Sequence, residues 1–375
     1  MKMEIEHAAF HEVIGRASKA LASRPATPIL AGLLLHAEDG ALCASAFDFE
    51  LAVRASAPAE VGEPGTVLVS GRLLAEITRA LPKLPVTLTT DGAKVALTCG
   101  AYRYTLACMP FEEYPALPGT PTTIGQVSAS ALACAAGQAA LAAERDDTLP
   151  FLTGTHIEYG PEYLRLAATD RYRLAVRDIP WSPFDAESSG SALVPARMLL
   201  DAARLFEAGE QVVIGLDEGR IGLSIDGLDV TLRQLDGSFI RYAQLFPEAY
   251  AGGAAVEVAP LVEAIKAIAL VAERNTPVRL DFAAGRVTIG AGSGDQAVAS
   301  VTIDAEYDAE PVSIAANPAY LLDGLGALDT PYARLRYPEK ARPVVLSGFA
   351  ELGAEPGAEP EELFRYLFIP VRSAA

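Results

Sequence analysis

One sequence pattern occurs three times in this 375-residue chain. An extended apolar run, a short polar turn and a stretch of helical periodicity follow one another in VLVSGRLLAEITRAL, ALVPARMLLDAARLF and VSIAANPAYLLDGLGAL. Val69, Val194 and Ile314 take the same place in the three copies, 125 and 120 residues apart. Solenoid repeats are shorter, roughly 20 to 50 residues. The spacing therefore predicts three tandem copies of one domain.

Further landmarks recur in the same order within each copy. Helical stretches begin near Glu6, Ser128 and Val258, and an acidic or hydroxyl side chain at these starts predicts N-capping. The tetrapeptide LAVR occurs at Leu51 and again at Leu174, each time in a segment that reads as paired strands. Asp-Gly and Glu-Gly turns between β-rich runs indicate hairpins. The order helix, strands, helix, strands predicts an α+β domain with two helices on an antiparallel sheet.

Two segments rich in Pro, Gly and small residues separate the copies, PALPGTPTTIGQ and FPEAYAGGAAVEV. Such segments are typical of domain linkers. The predicted domains are residues 1–122, 123–250 and 251–375.

The composition is typical of a large cytoplasmic protein. Hydrophobic residues make up 51% of the chain, which is enough for several cores. No apolar run reaches the roughly 18 residues of a membrane span, and no signal peptide opens the chain. The cysteines show no Cys-x-x-Cys spacing, which favours reduced thiols; they are Cys43, Cys99, Cys108 and Cys134.

The net charge of −18 at first argues against a nucleic-acid partner, because phosphate binding requires Lys and Arg. The cations, however, concentrate in or beside the helical stretches, and the acidic residues in turns and in AEPGAEPEE near the end. A basic helical face on an acidic protein is one interpretation. Ordinary solvated helix faces are the other.

The sequence contains no pattern typical of an active site. His7 and His11 stand four apart on a helix, but no third ligand follows at a suggestive spacing. GAGSG at Gly290 lies between strands and predicts a hairpin loop, not a phosphate cradle. Glu144, Asp146 and Asp147 are more typical of a charged helix end than of a metal site. We therefore expect a protein that is not an enzyme and needs no metal or cofactor.

The chain resembles the bacterial DNA polymerase III beta subunit, the sliding clamp. The resemblance rests on SRPATPILAGLLLHAEDGALCASAFDFELAV, AATDRYRLAVRDIP, QLDGSFIRYAQLFP and the terminal YLFIPVR, and it runs from end to end. It implies that the three domains are clamp domains. Two chains would join head to tail into a six-domain ring, with helices lining a hole around duplex DNA. Closure of such a ring also pairs edge strands that an open array would expose.

The resemblance assigns residues to DNA and to partner peptides. Arg24 and Arg72 match positions that touch DNA, and Arg197 and Arg204 are further candidates from their helix position. Other DNA-contact positions fall on Asp146, Pro150 and Phe151, and the carboxylate of Asp146 does not suit a phosphate. A pocket for peptides of the Gln-Leu-x-Leu-Phe kind is expected from residues spread over the second and third domains: Leu152, Thr169, Arg171, Tyr172, Arg173, Leu174, Ile240, Gln244, Leu245, Asn317, Tyr320, Ala341, Pro343, Leu367, Phe368, Ile369, Pro370, Val371 and Arg372.

The ring interface is expected where Tyr104 and Leu106 of the first domain pack against Leu270 of the third, flanked by Arg103 and Asp304. The implied partners are double-stranded DNA without sequence preference, a second copy of the chain, the polymerase III catalytic subunit, an ATP-driven clamp loader, and other polymerases and repair proteins. No membrane partner is expected. Two alternatives stay open: a protein-only scaffold that does not encircle DNA, and an enzyme with a carboxylate metal site.

Overall fold

The six predicted helices are all present in the computed structural model, which describes the chain apart from residues 23, 26, 147, 271–275, 292–297, 308, 339–342, 352–362 and 372–375. The helices of the described residues are α1 (His7–Ala17), α2 (Gly71–Ala80), α3 (Ala129–Ala140), α4 (Ala196–Ala203), α5 (Val258–Ala269) and α6 (Pro318–Gly326). The loop predicted at GAGSG falls largely outside the described residues.

The prediction that side chains cap the first helix of each copy is wrong for α1 and α5. Glu6 and Glu257 stand at their N-cap positions and make no side-chain cap hydrogen bond. Instead, the first backbone N–H of α5, at Val258, donates to the carbonyl of Pro331 at 2.8 Å. Helix termini need partners for their free N–H groups, and a neighbouring carbonyl satisfies one as well as a side chain does. Of the helices with a described cap, α6 is capped by a side chain, that of Asn317.

The predicted strand pairs are confirmed in each third of the chain. The first third contains β1 (Lys2–Ile5), β2 (Gly32–Glu38), β3 (Ala41–Phe47), β4 (Leu51–Pro58), β5 (Glu60–Glu63), β6 (Gly65–Ser70), β7 (Val86–Asp91), β8 (Lys94–Cys99) and β9 (Tyr102–Met109). The middle third contains β10 (Thr123–Ser128), β11 (Gly154–Tyr159), β12 (Leu164–Thr169), β13 (Arg173–Ile179), β14 (Ser182–Pro183), β15 (Gly190–Pro195), β16 (Gln211–Asp217), β17 (Arg220–Ile225) and β18 (Leu228–Arg233). The last third contains β19 (Gly252–Glu257), β20 (Val278–Ala283), β21 (Arg286–Ala291), β22 (Ala299–Asp304), β23 (Val312–Ala316), β24 (Tyr332–Tyr337), β25 (Val344–Phe349) and β26 (Phe364–Phe368).

The chain divides into two compact units that do not coincide with the three sequence copies. The first unit comprises Met1–Ser130, Trp181–Ser188 and Asp201–Gln234. Its strands form one sheet in the order β14-β10-β16-β17-β18-β4-β3-β2-β6-β9-β8-β7-β1-β5. The contact between β18 and β4, with Leu232 opposite Leu51, joins strands of the middle copy to those of the first.

The second unit comprises Ala131–Pro180, Ser189–Leu200 and Leu235–Ala375. It contains an eight-stranded sheet, β15-β11-β12-β13-β26-β25-β24-β19, and a four-stranded sheet, β22-β21-β20-β23. Here β13 pairs with β26, with Leu174 opposite Leu367. The middle copy therefore continues a sheet of each neighbouring copy, within a different unit each time.

Each unit has helices packed on its sheets. In the first unit α1 packs against α2 and against β4, and buries Phe10, Val13 and Ile14. In the second unit α5 packs against α6 over a core that includes Ile265, Leu321 and Tyr366. Among the described residues, no helix is both long and apolar enough to cross a membrane.

Candidate functional site

The turn between β12 and β13, residues 170–172, is held by the side chain of Asp170. Its Oδ1 accepts hydrogen bonds from the backbone N–H groups of Tyr172 and Arg173, at 3.0 and 2.9 Å. An Asp side chain that bonds the backbone two residues on is an Asx turn. Arg171 has a φ of 77°, a left-handed conformation that is uncommon outside glycine. The turn therefore presents Arg171 and Tyr172 to solvent, and the Tyr172 side chain is 56% exposed.

Arg173 follows the turn and points the other way, into the second unit, where only 6% of it is exposed. Its Nε donates to Asp170 Oδ2 at 2.9 Å, and its Nη1 donates to Asp323 Oδ2 at 2.6 Å. Nη1 also lies 3.4 Å from the Tyr366 hydroxyl, and the guanidinium stacks over the Tyr320 ring at 4.5 Å. A buried cation is stable only when it is paired and fully hydrogen-bonded. Arg173 is paired with two carboxylates through its Nε and Nη1, and these contacts tie the turn to α6 and β26.

The electrostatics of this network keep Arg173 charged and Tyr366 neutral. Burial by itself would lower the pKa of the Arg173 guanidinium, but Tyr366 and the hydrogen bond to Asp323 outweigh it and raise that pKa. Burial raises the pKa of Tyr366, against the opposing effect of the Arg173 charge. Through the neutral pH range the hydroxyl of Tyr366 therefore stays protonated and the Arg173 guanidinium stays charged.

Helix α6 reaches this network because of a glycine. A Cβ on Gly324 would lie 2.6 Å from Tyr366 Cδ1 and 2.9 Å from Leu346 Cδ2, closer than any carbon contact allows. Glycine therefore permits α6 to pack directly on the sheet and to place Asp323 beside Arg173. The start of α6 is fixed by Asn317, whose Oδ1 accepts from the N–H of Ala319 at 2.9 Å.

A mostly apolar cavity of about 300 Å³ opens beside the turn. We call it the Tyr172 pocket; it is lined by Thr169, Arg171, Tyr172, Arg173, Leu174, Leu245, Pro343, Leu367 and Ile369. All nine residues belong to the predicted peptide pocket, which the fold thus brings together from four segments of the sequence. Leu174 and Leu367 form a buried floor, and Tyr172, Leu245 and Ile369 form exposed apolar walls. Such a cavity suits large apolar side chains of a peptide.

The remaining predicted pocket residues that the structure describes do not belong to this lining. Asn317 caps α6, and the Tyr320 ring stacks on Arg173, while Leu152 and Pro370 are buried. The exposed residues Ile240, Gln244 and Val371 lie on flanking segments, and the N–H of Val371 donates to the Ala315 carbonyl at 2.7 Å. Phe368 is a core residue of the second unit. Ala341 and Arg372 lie outside the described residues.

Leu245 reaches the pocket on a linker that packs against the sheet. Its turn, Tyr242–Leu245, lies over a cluster with Leu174, Leu367 and Phe239. The His156 ring stacks on the Phe239 ring, 5.0 Å between centroids, and its buried Nδ1 has no hydrogen-bond partner within the described part of the chain. Burial lowers the pKa of His156, with a smaller opposing effect of Glu158. The linker therefore rests on a neutral imidazole.

The four arginines predicted to contact DNA are all exposed. Arg72 is the second residue of α2 and Arg197 is the second residue of α4, which are the corresponding positions in their copies. Arg204 directly follows α4, and Arg24 lies in the segment before β2. Asp146 accepts hydrogen bonds from the hydroxyl and N–H of Thr148, which lower the pKa of its carboxyl. It stays an anion, which disfavours a phosphate contact at that position.

The predicted ring-interface residues divide into exposed and buried. Leu270, at the end of α5, is 86% exposed, and Arg103 and Asp304 are exposed as well. Tyr104 is half-buried on β9. Leu106 is only 3% exposed because it packs within the first unit, so it offers almost no surface for the predicted contact with Leu270.

Sequence reasoning missed the residues that hold the turn in place. Asp170, Asp323 and Tyr366 were not among the predicted site residues, although all three bond Arg173. The Asp in TDRYR was a usable signal for Asp170, because Asp is favoured at the head of such a turn. Asp323 carries no local signal, since it is 150 residues away from Arg173 in the sequence. Among the described residues, no cluster of His, Cys, Asp or Glu could hold a metal ion.

Three family models match the chain in succession. The models of the N-terminal, central and C-terminal domains of the DNA polymerase III beta subunit match residues 1–118, 126–240 and 243–356. The beta sliding clamp of Streptomyces coelicolor is 47% identical over 99% of both chains. A beta sliding clamp homolog of Streptomyces muensis, GriR, is 41% identical over 99% of both chains.

Solved structures show the same fold. The DNA polymerase sliding clamp of Caulobacter crescentus has 26% identity and a TM-score of 0.87, covering 99% of this chain and all of that one. A sliding clamp of Pseudomonas aeruginosa bound to griselimycin has 24% identity and a TM-score of 0.91, covering 99% of both chains.

Proposed function

The chain belongs to the family of the DNA polymerase III beta subunit, and we propose that it acts as a DNA sliding clamp, a ring that encircles duplex DNA and tethers replication proteins to it. It is a non-catalytic processivity factor built from three tandem clamp domains. The proposal depends above all on the succession of the three family domains along the chain. The apolar, peptide-sized pocket of the second unit supports it.

The Tyr172 pocket is the proposed tether for partner proteins. Peptides of the Gln-Leu-x-Leu-Phe kind would insert their Leu and Phe side chains between Tyr172, Leu245 and Ile369, over the floor of Leu174 and Leu367. Burying such anchors contributes roughly 1.5–3 kcal/mol each. The proposed partners are the polymerase III catalytic subunit, the clamp loader, and other polymerases and repair proteins, which would compete for this one cavity on each chain.

The ring itself is proposed to form by pairing of edge strands between two copies. On β9, residues 102–107 pair with β8, and β6 reaches only Cys108 and Met109 on the other side. In the described sheets β22 pairs with β21 alone. Unpaired strand edges favour association with another chain, and a head-to-tail contact of two copies closes when the rotation suits. Leu270, Tyr104, Arg103 and Asp304 are the proposed interface side chains.

DNA is proposed to run along the helices past Arg24, Arg72, Arg197 and Arg204. Exposed guanidinium groups make phosphate contacts without reading bases, which allows the ring to slide. The net charge of −18 limits binding elsewhere on the surface. Because replication takes place at the bacterial chromosome, we also propose a cytoplasmic location. The proposed domain boundaries remain 1–122, 123–250 and 251–375.

The proposal is tested by retention on nicked circular DNA. The protein is loaded with a matching clamp loader and ATP, and retention is measured before and after the circle is cut. We expect protein to stay on the circle and to leave the linear DNA. Equal retention on both would mean ordinary binding and would exclude a ring. The two arginines are tested separately, by the affinity of the unloaded protein for linear duplex DNA at low salt: an Arg24→Ala and Arg72→Ala double variant that binds as tightly as the wild-type protein would exclude them as DNA contacts.

The interface is tested by Leu270→Asp. A carboxylate buried in an apolar seam lacks a partner, and we expect the dimer to dissociate at micromolar concentration. The control is Val298→Asp, since Val298 is another exposed apolar residue of the third copy. Native mass spectrometry of both variants gives the result, and a dimeric Leu270→Asp protein would remove Leu270 from the interface.

A further inference from the structure

The first unit contains a second turn built like the one at Asp170. Asp48 Oδ1 accepts from the N–H groups of Glu50 and Leu51, at 3.1 and 2.8 Å. Phe49 follows Asp48 and has a φ of 75°, as Arg171 follows Asp170 with 77°. Both turns lead into the LAVR strand of their copy. Both copies therefore have an Asx turn before LAVR with a left-handed residue directly after the Asp, although Asp48 is three residues before Leu51 and Asp170 four before Leu174.

The elements around the Asp48 turn repeat as well. The N–H of Arg233, at the end of β18, donates to the Glu50 carbonyl at 2.8 Å, as the N–H of Ile369 donates to the Tyr172 carbonyl at 2.9 Å. In each case a strand of the following copy closes the turn. The linker sequence repeats too: Phe111, Tyr114 and Leu117 have the same three-residue spacing as Phe239, Tyr242 and Leu245.

Tyr114 fixes this linker to the turn. Its hydroxyl accepts from the N–H of Phe47 at 2.8 Å, and its ring packs in a cluster with Phe47, Ala52 and Leu68. The first inter-copy linker thus lies beside the Asp48 turn, as the second lies beside the Asp170 turn. All these contacts lie within the first unit.

A cavity of about 390 Å³ opens beside the Asp48 turn. We call it the Phe49 pocket. Its apolar side is formed by Phe47, Phe49 and Pro118, and its polar side by Glu50, Arg220 and Arg233, with Glu218 and Thr231 nearby. Phe49 is 55% exposed on a backbone conformation that costs free energy for a side chain of its size. An exposed aromatic ring held in this way suits an apolar ligand group.

The polar side of the Phe49 pocket has a cation without a partner. Arg220 and Arg233 stand directly opposite each other on β17 and β18, and like charges at such positions repel. Glu50 Oε1 accepts from Arg233 at 3.1 Å. Among the residues that the structure describes, the Arg220 guanidinium forms no ion pair. Asp217 stands opposite Arg220 on β16, but its Oδ1 accepts from the N–H of Thr122 at 3.2 Å and forms no ion pair with Arg220 among the described residues. The Arg220 guanidinium therefore suits a single carboxylate of a ligand, whereas Glu50 and Glu218 disfavour a polyanion such as a nucleic acid.

From these observations we propose that the Phe49 pocket is a second peptide-binding site, which takes a short extended segment of a partner protein carrying a Leu or Phe anchor next to an Asp or Glu. The anchor packs on Phe47, Phe49 and Pro118, and the carboxylate binds Arg220. The inference rests on the proposed function in one respect, that the Tyr172 pocket, whose construction it shares, binds peptides. A ring of two chains then offers four peptide sites of two chemical types.

The test uses the full-length protein and the peptide acetyl-Ala-Asp-Leu-Phe-Ala-amide. The background variant is Leu245→Asp, which places a charge in the Tyr172 pocket and leaves the Phe49 pocket as the site to be measured. Calorimetric titration is expected to give one peptide per chain, with affinity reduced at least tenfold by Arg220→Glu. Phe49→Asn is expected to weaken binding to a similar extent, since Asn tolerates a left-handed φ and removes the ring.

Two matched controls define the outcome. Lys94→Glu makes the same change of net charge on an exposed strand residue of the first unit, and is expected to leave the affinity unchanged. A peptide with Asn in place of Asp is expected to bind at least tenfold more weakly to the background protein.

A peptide with p-benzoylphenylalanine in place of Phe should crosslink to residues 47–50 or 218–233, as mapped by mass spectrometry.

The proposal is overturned if the Leu245→Asp protein binds no peptide, if Arg220→Glu and Lys94→Glu have equal effects, or if the crosslinks map elsewhere. Circular dichroism of each variant shows whether it is folded. The titration contains no DNA, so a negative result would count against the Phe49 pocket as a peptide site and not against the clamp function. Failure of the wild-type protein to stay on nicked circles would instead concern the clamp function.

Discussion

The Asp170 and Asp48 turns share their backbone and differ in what supports them. Behind the Asp170 turn lies Arg173, a buried cation that binds Asp170, Asp323 and Tyr366. In the first copy the residue at the place of Arg173 is Leu51, which is buried and uncharged, and the ion pair at this turn is the exposed one between Glu50, at the place of Tyr172, and Arg233. The same local fold is therefore supported by a buried network in one copy and by a surface pair in the other.

This difference shows how copies of one domain can form pockets of different polarity. An exposed ion pair contributes about 0–1 kcal/mol, and it leaves the side chains around it free to change. A buried network fixes the turn, because loss of a carboxylate leaves the buried Arg173 cation with fewer of the contacts that offset its desolvation. The Tyr172 pocket is accordingly apolar with a fixed wall, and the Phe49 pocket is half polar.

The largest expected effect comes from removing each turn's aspartate. Asp170→Ala leaves Arg173 buried with one carboxylate fewer, and we expect it to lower the free energy of unfolding by about 3–5 kcal/mol. Asp48→Ala removes only two backbone hydrogen bonds, with an expected cost of about 1–2 kcal/mol. Urea unfolding of both variants measures the difference. Equal losses of unfolding free energy in the two variants would mean that the buried Arg173 is stable without Asp170. The two turns would then not differ in how they are supported.

The next effect concerns the approach of α6 to the Arg173 network. Gly324→Ala places a Cβ against Tyr366, and we expect a loss of about 1–3 kcal/mol from overpacking. Gly326→Ala is the matched control in the same helix, because its Cβ would meet nothing within 4 Å. It is expected to stabilise the helix by up to about 1 kcal/mol. A Gly324→Ala variant with the same free energy of unfolding as the wild-type protein would show that stability does not require the close packing of α6 on Tyr366.

The two linkers are expected to respond to opposite extremes of pH. Burial lowers the pKa of His156 from 6.5, so its contribution to stability is complete above that pH and is lost as the pH falls further. Burial raises the pKa of Tyr114 from 10.0 to about 12, so its contribution is complete below pH 10.0 and is lost as the pH rises toward 12.

The free energy of unfolding is measured across these pH ranges for the wild-type protein and for His156→Phe and Tyr114→Phe. The first variant should flatten the acid limb of the curve and the second the alkaline limb. A wild-type acid limb that His156→Phe leaves unchanged would assign the acid loss to other groups.

The smallest expected effect is that of Glu50→Gln. It removes the exposed pair with Arg233, and we expect a change below about 1 kcal/mol that shrinks further in high salt. Urea unfolding at low and high salt checks this. A cost near that of Asp170→Ala would mean that the surface pair supports its turn as strongly as the buried network does.

Much of the fold follows from local patterns that the sequence displays directly. The first helix of each copy begins within one residue of its predicted start, and the Asp-Gly and Glu-Gly turns at Gly92 and Gly219 have the positive φ that such hairpins require. The helix caps were predicted wrongly at Glu6 and Glu257. A neighbouring carbonyl, that of Pro331 at α5, takes one of the free N–H groups, and no local pattern reveals that partner.

The site was predicted in part. The nine lining residues of the Tyr172 pocket were all named from the family resemblance, yet Leu152 and Pro370 are buried outside it. Arg173 was expected to line the pocket and does so, but its main contacts are with Asp170, Asp323 and Tyr366. Those contacts join residues up to 193 positions apart, which residue spacing cannot reveal.

By itself the sequence determined the three copies, the α+β order within each copy and the family membership. These depend on hydrophobic periodicity and on short sequence motifs that recur along the chain. The tertiary structure decided how the copies share sheets: β18 joins β4, and β26 joins β13. It also decided which of two similar turns encloses a buried cation and which has only an exposed ion pair, that of Glu50 with Arg233. These depend on side chains that meet only when distant segments pack, since burial, not sequence distance, sets whether a charge must be paired.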